Sequence, residues 1–212
     1  MTDAPERTPA VDRPNLVILA GPNGSGKSTL FDLYIRKWSM PFVNRDVIAK
    51  GLNLENPDSA ALRALRIAAV RQKEFFERRE SFVTESIRPD PELIRGAQAL
   101  GYKTRVIFIC LQLPDLNVAR VANRVSHGGH SVPVNAILKR YDRALAGLVE
   151  TIPLVEQLLV FDNSIHKRAP RFLARFKNGE LVSLRRNAPG WANRTFGPIF
   201  DDFRLKRRAN NP

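Results

Sequence analysis

The chain of 212 residues suits one domain with a small appendage, and 43% hydrophobic content supports a proper core. A single cysteine excludes a disulfide framework, and no apolar run approaches the roughly 20 residues of a membrane span. The formal net charge of +13 points to anionic partners: nucleotides, phosphorylated metabolites or nucleic acid.

Residues 1–14 are rich in Pro, Thr and charge and lack an apolar h-region. They read as a loose arm rather than a secretory signal, which predicts a cytoplasmic protein. "NLVILA" (15–20) is the first buried strand, and it runs into "GPNGSGKST" (21–29). "TLFDLYIRKW" continues as a helix. "PFVN" (41–44) is a short strand, with Asp46 placed to cap the helix "VIAKGL" or to serve chemistry. Asn56-Pro57 reads as an N-cap followed by Pro at N1, opening a long helix through "AALRALRIAAVRQKEFFERR". "SFVTES" (81–86) is the third strand. Asp90-Pro91 opens the next helix and Gly101 stops it.

"TRVIFICL" (104–111) is the fourth strand, with Cys110 as a small buried hydrophobe. Leu116 to Val125 carries apolar residues at a helical period, and Pro133 starts another helix through Ile137, Tyr141, Leu145 and Leu148. Gly128 and Gly129 let the chain reverse between the two. His127 and His130 lie at that turn, but no Cys or nearby acid completes a metal set, so they read as helix-end or turn residues. "LLVFD" (158–162) is the fifth strand. Asn178-Gly179, flanked by alternating residues, is a hairpin signal and predicts an antiparallel appendage. From residue 165 onward there are 12 Lys+Arg against 3 Asp+Glu, an excess of +9, and the end "RLKRRANNP" reads as a solvated basic tail. Strand–helix alternation predicts an α/β layered fold.

The segment 21–29 fits G-x-x-x-x-G-K-[ST] with Gly21, Gly26, Lys27 and Ser28. Glycines let the loop of Gly21, Pro22, Asn23, Gly24, Ser25 and Gly26, running on to Thr29, turn its backbone N–H groups, which Pro22 alone lacks, toward phosphate oxygens ahead of a helix N-terminus. Lys27 adds charge between the β- and γ-phosphates, and the Ser28 hydroxyl ligates Mg²⁺. These residues predict binding of ATP with Mg²⁺. A GTPase would need an Asn/Thr-Lys-x-Asp segment, and none is present. A motor ATPase would need an acid ending an apolar strand, and "TRVIFICLQL" has none. Acids instead follow short strands, at Asp46 and Glu85, where small-molecule kinases face the acceptor. An acceptor hydroxyl must lose a proton as the γ-phosphoryl arrives, so a carboxylate must stand within reach. Transfer also needs positive charge on the γ-phosphate, which Arg120, Arg124, Arg140 and Arg143 on either side of the glycine turn can bring as a lid.

The elements "GPNGSGKST", "VNRD", "FVTES", "GYKTRVIFICL", "RVSHGGHSVPVNAILKRY" and "LLVFDNS", in that order over residues 15–164, resemble the zeta-toxin-like P-loop kinases. The resemblance implies a kinase-type P-loop fold with a five-stranded parallel sheet of order 2-3-1-4-5, plus the C-terminal hairpin. Residues 15–164 would form the kinase domain, with the lid at about 116–143, and 165–212 the hairpin and tail. The best-known members phosphorylate UDP-N-acetylglucosamine as toxins of toxin–antitoxin pairs, which implies an antitoxin protein as partner. By matching motifs, Asp46 would be the general base and Lys27 and Ser28 would serve phosphates and Mg²⁺. Glu85 and Ser86 of "FVTES" would meet the acceptor. Arg124 and Arg140 would clamp the γ-phosphate, and Arg120 would lie against the adenine. Two other readings compete: a nucleic-acid end kinase, motivated by the basic C-terminal excess, and an ATP-binding regulatory module without transfer.

Overall fold

The protein is described by a computed structural model covering residues 12–52, 55–128 and 131–209. Gly129 and His130 of the expected lid hinge, and most of the expected N-terminal arm, lie outside the described residues.

Seven strands form one sheet in the order β2-β3-β1-β4-β5-β6-β7. They are β1 (Asn15–Ala20), β2 (Phe42–Val43), β3 (Phe82–Ser86), β4 (Lys103–Cys110), β5 (Gln157–Asp162), β6 (Arg171–Lys177) and β7 (Glu180–Leu184). The first five pair in parallel and keep the expected order 2-3-1-4-5. The expected five-stranded, all-parallel sheet is corrected: β6 and β7 join it, antiparallel, rather than standing apart. The hairpin signal is local, with Asn178 and Gly179 both at positive φ. What its outer edge pairs with is not local: Leu158 opposes Phe176 and Leu159 opposes Arg175 across β5–β6.

The caps that the sequence predicts at Asn56 and Asp90 are present, while the expected helix "TLFDLYIRKW" is α-helical only at its start. Helix α1 (Lys27–Leu30) leaves the first loop and continues through a π-helical stretch to Ile35 and a 3₁₀ turn to Trp38. Then come α2 (Arg45–Gly51) and α3 (Pro57–Glu77), the latter capped by Asn56 Oδ1 on the Asp58 and Ser59 N–H groups. Helix α4 (Pro91–Ala99) is capped by Asp90, and Gly101 follows it at φ +80°. Helices α5 (Pro114–Ser126) and α6 (Val134–Thr151) flank the glycine turn, and His127 Nδ1 lies 2.8 Å from the Asn123 carbonyl at the end of α5.

Burial on both faces explains the apolar runs of β1 and β4. Leu16, Ile18, Ala20, Val106 and Phe108 join one core cluster, while Val17, Leu19, Ile107 and Ile109 join a second beneath Leu30, Phe31 and Ile35. The C-terminal stretch, which has no readable period, forms α7 (Gly190–Ala209). Its Trp191, Phe196 and Phe200 are fully buried, with the Trp191 ring 6.4 Å from Phe108 and the Phe196 ring 5.7 Å from Phe176. Only its last turn, with Lys206, Arg207 and Arg208, is the basic exposed end. Among the described residues no helix is long and apolar enough to cross a membrane.

Candidate active site

The turn from β1 into α1 is held open by backbone that disfavours side chains. Gly21, Gly24 and Gly26 have φ of +146°, +74° and +101°. A Cβ on Gly24 would stand 2.7 Å from the Asn117 carbonyl oxygen, and one on Gly21 or Gly26 would strike the Ile109 carbonyl or the Asn163 amide. Two asparagine side chains brace the loop from outside. Asn117 Nδ2 donates to the Asn23 carbonyl at 2.5 Å, and Asn163 Nδ2 donates to the Ser25 carbonyl at 2.8 Å. Pro22 contributes a carbonyl that accepts from Ser25 N at 3.3 Å, and Ser25 is buried. Ser28 and Thr29 are exposed on the first turn of α1.

Lys27 is 7% exposed and folds back over this loop. Its Nζ donates to the carbonyls of Gly21 (2.8 Å) and Pro22 (3.1 Å) and stands 3.6 Å from Glu85 Oε1. Burial holds the ammonium below its ordinary pKa; Glu85 and Asp46 oppose that, and nearby Arg124 adds to it. Burial likewise raises the Glu85 carboxyl above the usual carboxylate range, with Lys27 pulling it back and Asp46 pushing it further. The Ser28 hydroxyl also pulls it back. The Ser28 hydroxyl on the first turn of α1 is a hard oxygen donor of the type that Mg²⁺ takes beside substrate phosphates, and the Glu85 and Asp46 carboxylates line the adjoining cavity.

Of the two sequence readings of Asp46, the cap belongs to another residue. Asn44 is the N-cap of α2, and its Oδ1 accepts from the N–H groups of Asp46 (2.8 Å) and Val47 (3.2 Å). That leaves the Asp46 carboxylate on the first turn, facing a cavity of about 750 Å³. Asn23, Lys27, Glu85, Ser86 and Arg140 line the same cavity, with Ala60, Ala61, Leu62 and Leu65 of α3 as its apolar wall. A smaller cavity of about 330 Å³ shares Glu85, Ser86 and Leu65.

The arginines come from α5 and α6. Arg140 of α6 donates to Asn23 Oδ1 at 3.3 Å, so it meets the phosphate loop directly. Arg124 of α5 is near enough to act on the Lys27 charge. Arg120 donates to the Asn163 carbonyl at 2.8 Å, and burial lowers its pKa against the pull of Asp162. Sequence reading missed Asn44, Asn117 and Asn163. The only signal for Asn163 was its place just after a buried strand ending, "LLVFD"; Asn117 lies unmarked inside a helical period.

No protein-family model matches the chain. An uncharacterized protein of Haemophilus influenzae is 28% identical over 131 residues, which is 59% of this chain and 91% of that protein. Among solved structures, the AvrRxo1-ORF1:AvrRxo1-ORF2 complex, determined with sulphate ions and also with ATP, is similar with a TM-score of 0.67 at 15% identity. That match covers 88% of this chain and 63% of the other, so this chain spans less than two thirds of its length. The PezAT chromosomal toxin–antitoxin system of Streptococcus pneumoniae matches with a TM-score of 0.55 at 12% identity, over 75% of this chain and 70% of that one. These likenesses are of fold: the chain shares with these structures the α/β fold expected from its resemblance to the zeta-toxin-like P-loop kinases.

Proposed function

We propose that this protein is an ATP- and Mg²⁺-dependent kinase that transfers the γ-phosphoryl group to a hydroxyl of a small molecule, with nucleotide sugars such as UDP-N-acetylglucosamine as the leading acceptor class. The observation that carries this reading is the meeting of phosphate loop and acids in one cavity. Lys27 stands 3.6 Å from Glu85, while Asp46 and Arg140 line the same space. A nucleotide-binding module without chemistry has no use for a cavity that continues past the phosphates to two carboxylates.

In this assignment Gly21 to Thr29 hold the ATP phosphates, with Lys27 neutralising charge between the β- and γ-groups. Mg²⁺, held by Ser28, supplies neutralisation of the phosphate oxygens when bound. Asp46 accepts the proton of the acceptor hydroxyl as its oxygen forms a bond to the γ-phosphorus. The bond from that phosphorus to the β-bridging oxygen breaks, and ADP leaves. Glu85 and Ser86 orient the acceptor. Arg124 and Arg140 offset the charge of the transferring group, and Arg120 lies on the adenine side. We assign residues 15–164 to the catalytic unit, with the lid at about 116–143. An ATP-consuming reaction and one buried thiol suit the cytoplasm.

A toxin role with a protein antitoxin is supported by the PezAT likeness in fold. The biochemical test is incubation with γ-labelled ATP and a panel of nucleotide sugars, nucleosides and RNA ends. Label on a nucleotide sugar is the expected result, lost in Asp46→Asn. Label found only as inorganic phosphate overturns the kinase reading, and label on RNA ends alone moves the acceptor to nucleic acid. Growth arrest on expression, abolished by Lys27→Ala, tests toxicity.

A further inference from the structure

Glu85 is held from two sides. One carboxylate oxygen, Oε1, faces Lys27 of the phosphate loop at 3.6 Å. The other, Oε2, accepts from Asn44 Nδ2 at 2.8 Å. Asn44 directly follows the edge strand β2, whose Val43 pairs with Thr84 next to Glu85. The backbone of Asn44 is extended, at φ −125° and ψ 116°, as an N-cap requires. Its Oδ1 is engaged by two helix N–H groups, those of Asp46 and Val47. A planar amide with its oxygen so fixed has only one direction left for its NH₂ group, and Glu85 lies in that direction.

Capping alone does not require asparagine. Aspartate and serine cap as well, but neither brings an N–H donor to the far side. Asn44 is 5% exposed, and the side chain of Glu85 is 12% exposed, so a lost partner here would not be replaced by bulk water. We infer that Asn44 is a positioning residue for the proposed transfer, one amide fixing both the helix that presents Asp46 and the carboxylate of Glu85. The inference rests on the kinase reading and deepens it. It makes the spacing of the two acids depend on a residue of the cavity wall whose side-chain oxygen and amide are both engaged by protein groups.

Three variants separate this role from that of a simple cap. Asn44→Ser and Asn44→Asp keep an oxygen for the α2 N–H groups, and Asn44→Ala removes both functions. The readouts are the melting temperature, the Kd for the fluorescent analogue mant-ATP, and kcat and KM with the acceptor that the panel identifies. The Ser variant is expected to melt moderately below wild type and the Asp variant lower, since it sets a second carboxylate against Glu85; both should bind mant-ATP within about twofold, while kcat falls about a hundredfold in each, the scale of a misplaced reactive group. Wild-type kcat in both overturns the inference. So does a loss of kcat that merely tracks melting temperature across the three. If wild type labels no acceptor, the kinase reading fails by itself, and Asn44 is judged by a crystal structure of Asn44→Ser. There, a Glu85 carboxylate still in its wild-type position overturns the positioning role, and a displaced one sustains it.

Discussion

Asn163 braces the phosphate loop from the end of β5: its side-chain amide donates to the Ser25 carbonyl at 2.8 Å, while its own carbonyl accepts from Arg120 of the lid at 2.8 Å. The preceding residue, Asp162, is buried and points the other way. Its Oδ1 accepts from Trp191 Nε1 at 3.0 Å and from Ser164 Oγ at 2.6 Å. Two adjacent residues therefore connect loop and lid to the C-terminal helix.

Asn163→Ala should weaken ATP binding about tenfold, since an unmet, partly buried loop carbonyl costs roughly 1–3 kcal/mol. The check is a mant-ATP titration beside a thermal melt. The unmet carbonyl should lower the melting temperature by several degrees, and because the amide acts on the loop, affinity should fall with it. A lower melting temperature with unchanged affinity would assign Asn163 to the scaffold instead.

Trp191→Ala should cost roughly 3–5 kcal/mol of folding stability, the usual range for emptying a large aromatic site in a packed core. The ring is fully buried, and its N–H is a partner of Asp162. Urea unfolding followed by circular dichroism reads the loss. A cost under about 1 kcal/mol, as for a surface residue, would mean that α7 is only loosely attached.

Gly24→Ala should abolish nucleotide binding without unfolding the protein. The position combines φ +74° with an Asn117 carbonyl oxygen 2.7 Å from the added methyl carbon. Strain and clash must both be relieved by moving the loop. Equilibrium dialysis with ATP is the measurement, with retained binding as the contrary result.

Burial pushes the Cys110 thiol up to about 12, from an ordinary value of 9.0. A folded value above the unfolded one means that the native state keeps its proton longer. The contribution is complete below pH 9 and is lost as pH rises from there toward 12. Between pH 8 and pH 10, wild type should therefore lose more stability than Cys110→Ala, as compared by urea midpoints. The native thiol should also resist iodoacetamide at pH 8 and react once urea is added.

The sequence reveals what neighbouring residues do together. Gly21, Gly26, Lys27 and Ser28 are legible because a phosphate loop is one short contiguous run, and Asn56-Pro57 and Asp90-Pro91 because a cap acts within a turn. Asp46 was ambiguous for a physical reason: Asn44 and Asp46 are both good caps, two residues apart, and only the backbone decides between them. Asn117 and Asn163 act across 94 and 138 residues of chain on loop carbonyls, which no local pattern reports. Trp191 and Phe196 were hidden because Gly197 and Pro198 interrupt the period of the helix that carries them. The hairpin was readable from Asn178-Gly179, but its docking edge, Gln157 to Asp162, was not.

The order of the strands also bears on how the chain is made. Of the seven described strands β1 is made earliest, yet it sits inside the sheet between β3 and β4, and its partners are residues 82–86 and 103–110. An apolar strand therefore waits through much of synthesis for its neighbours, the situation in which nascent chains aggregate or recruit chaperones. Phe108 in turn waits until Trp191 is made. A chain that stops before α7 would carry its phosphate loop but leave Phe108 and Phe176 without their partners Trp191 and Phe196, material for degradation.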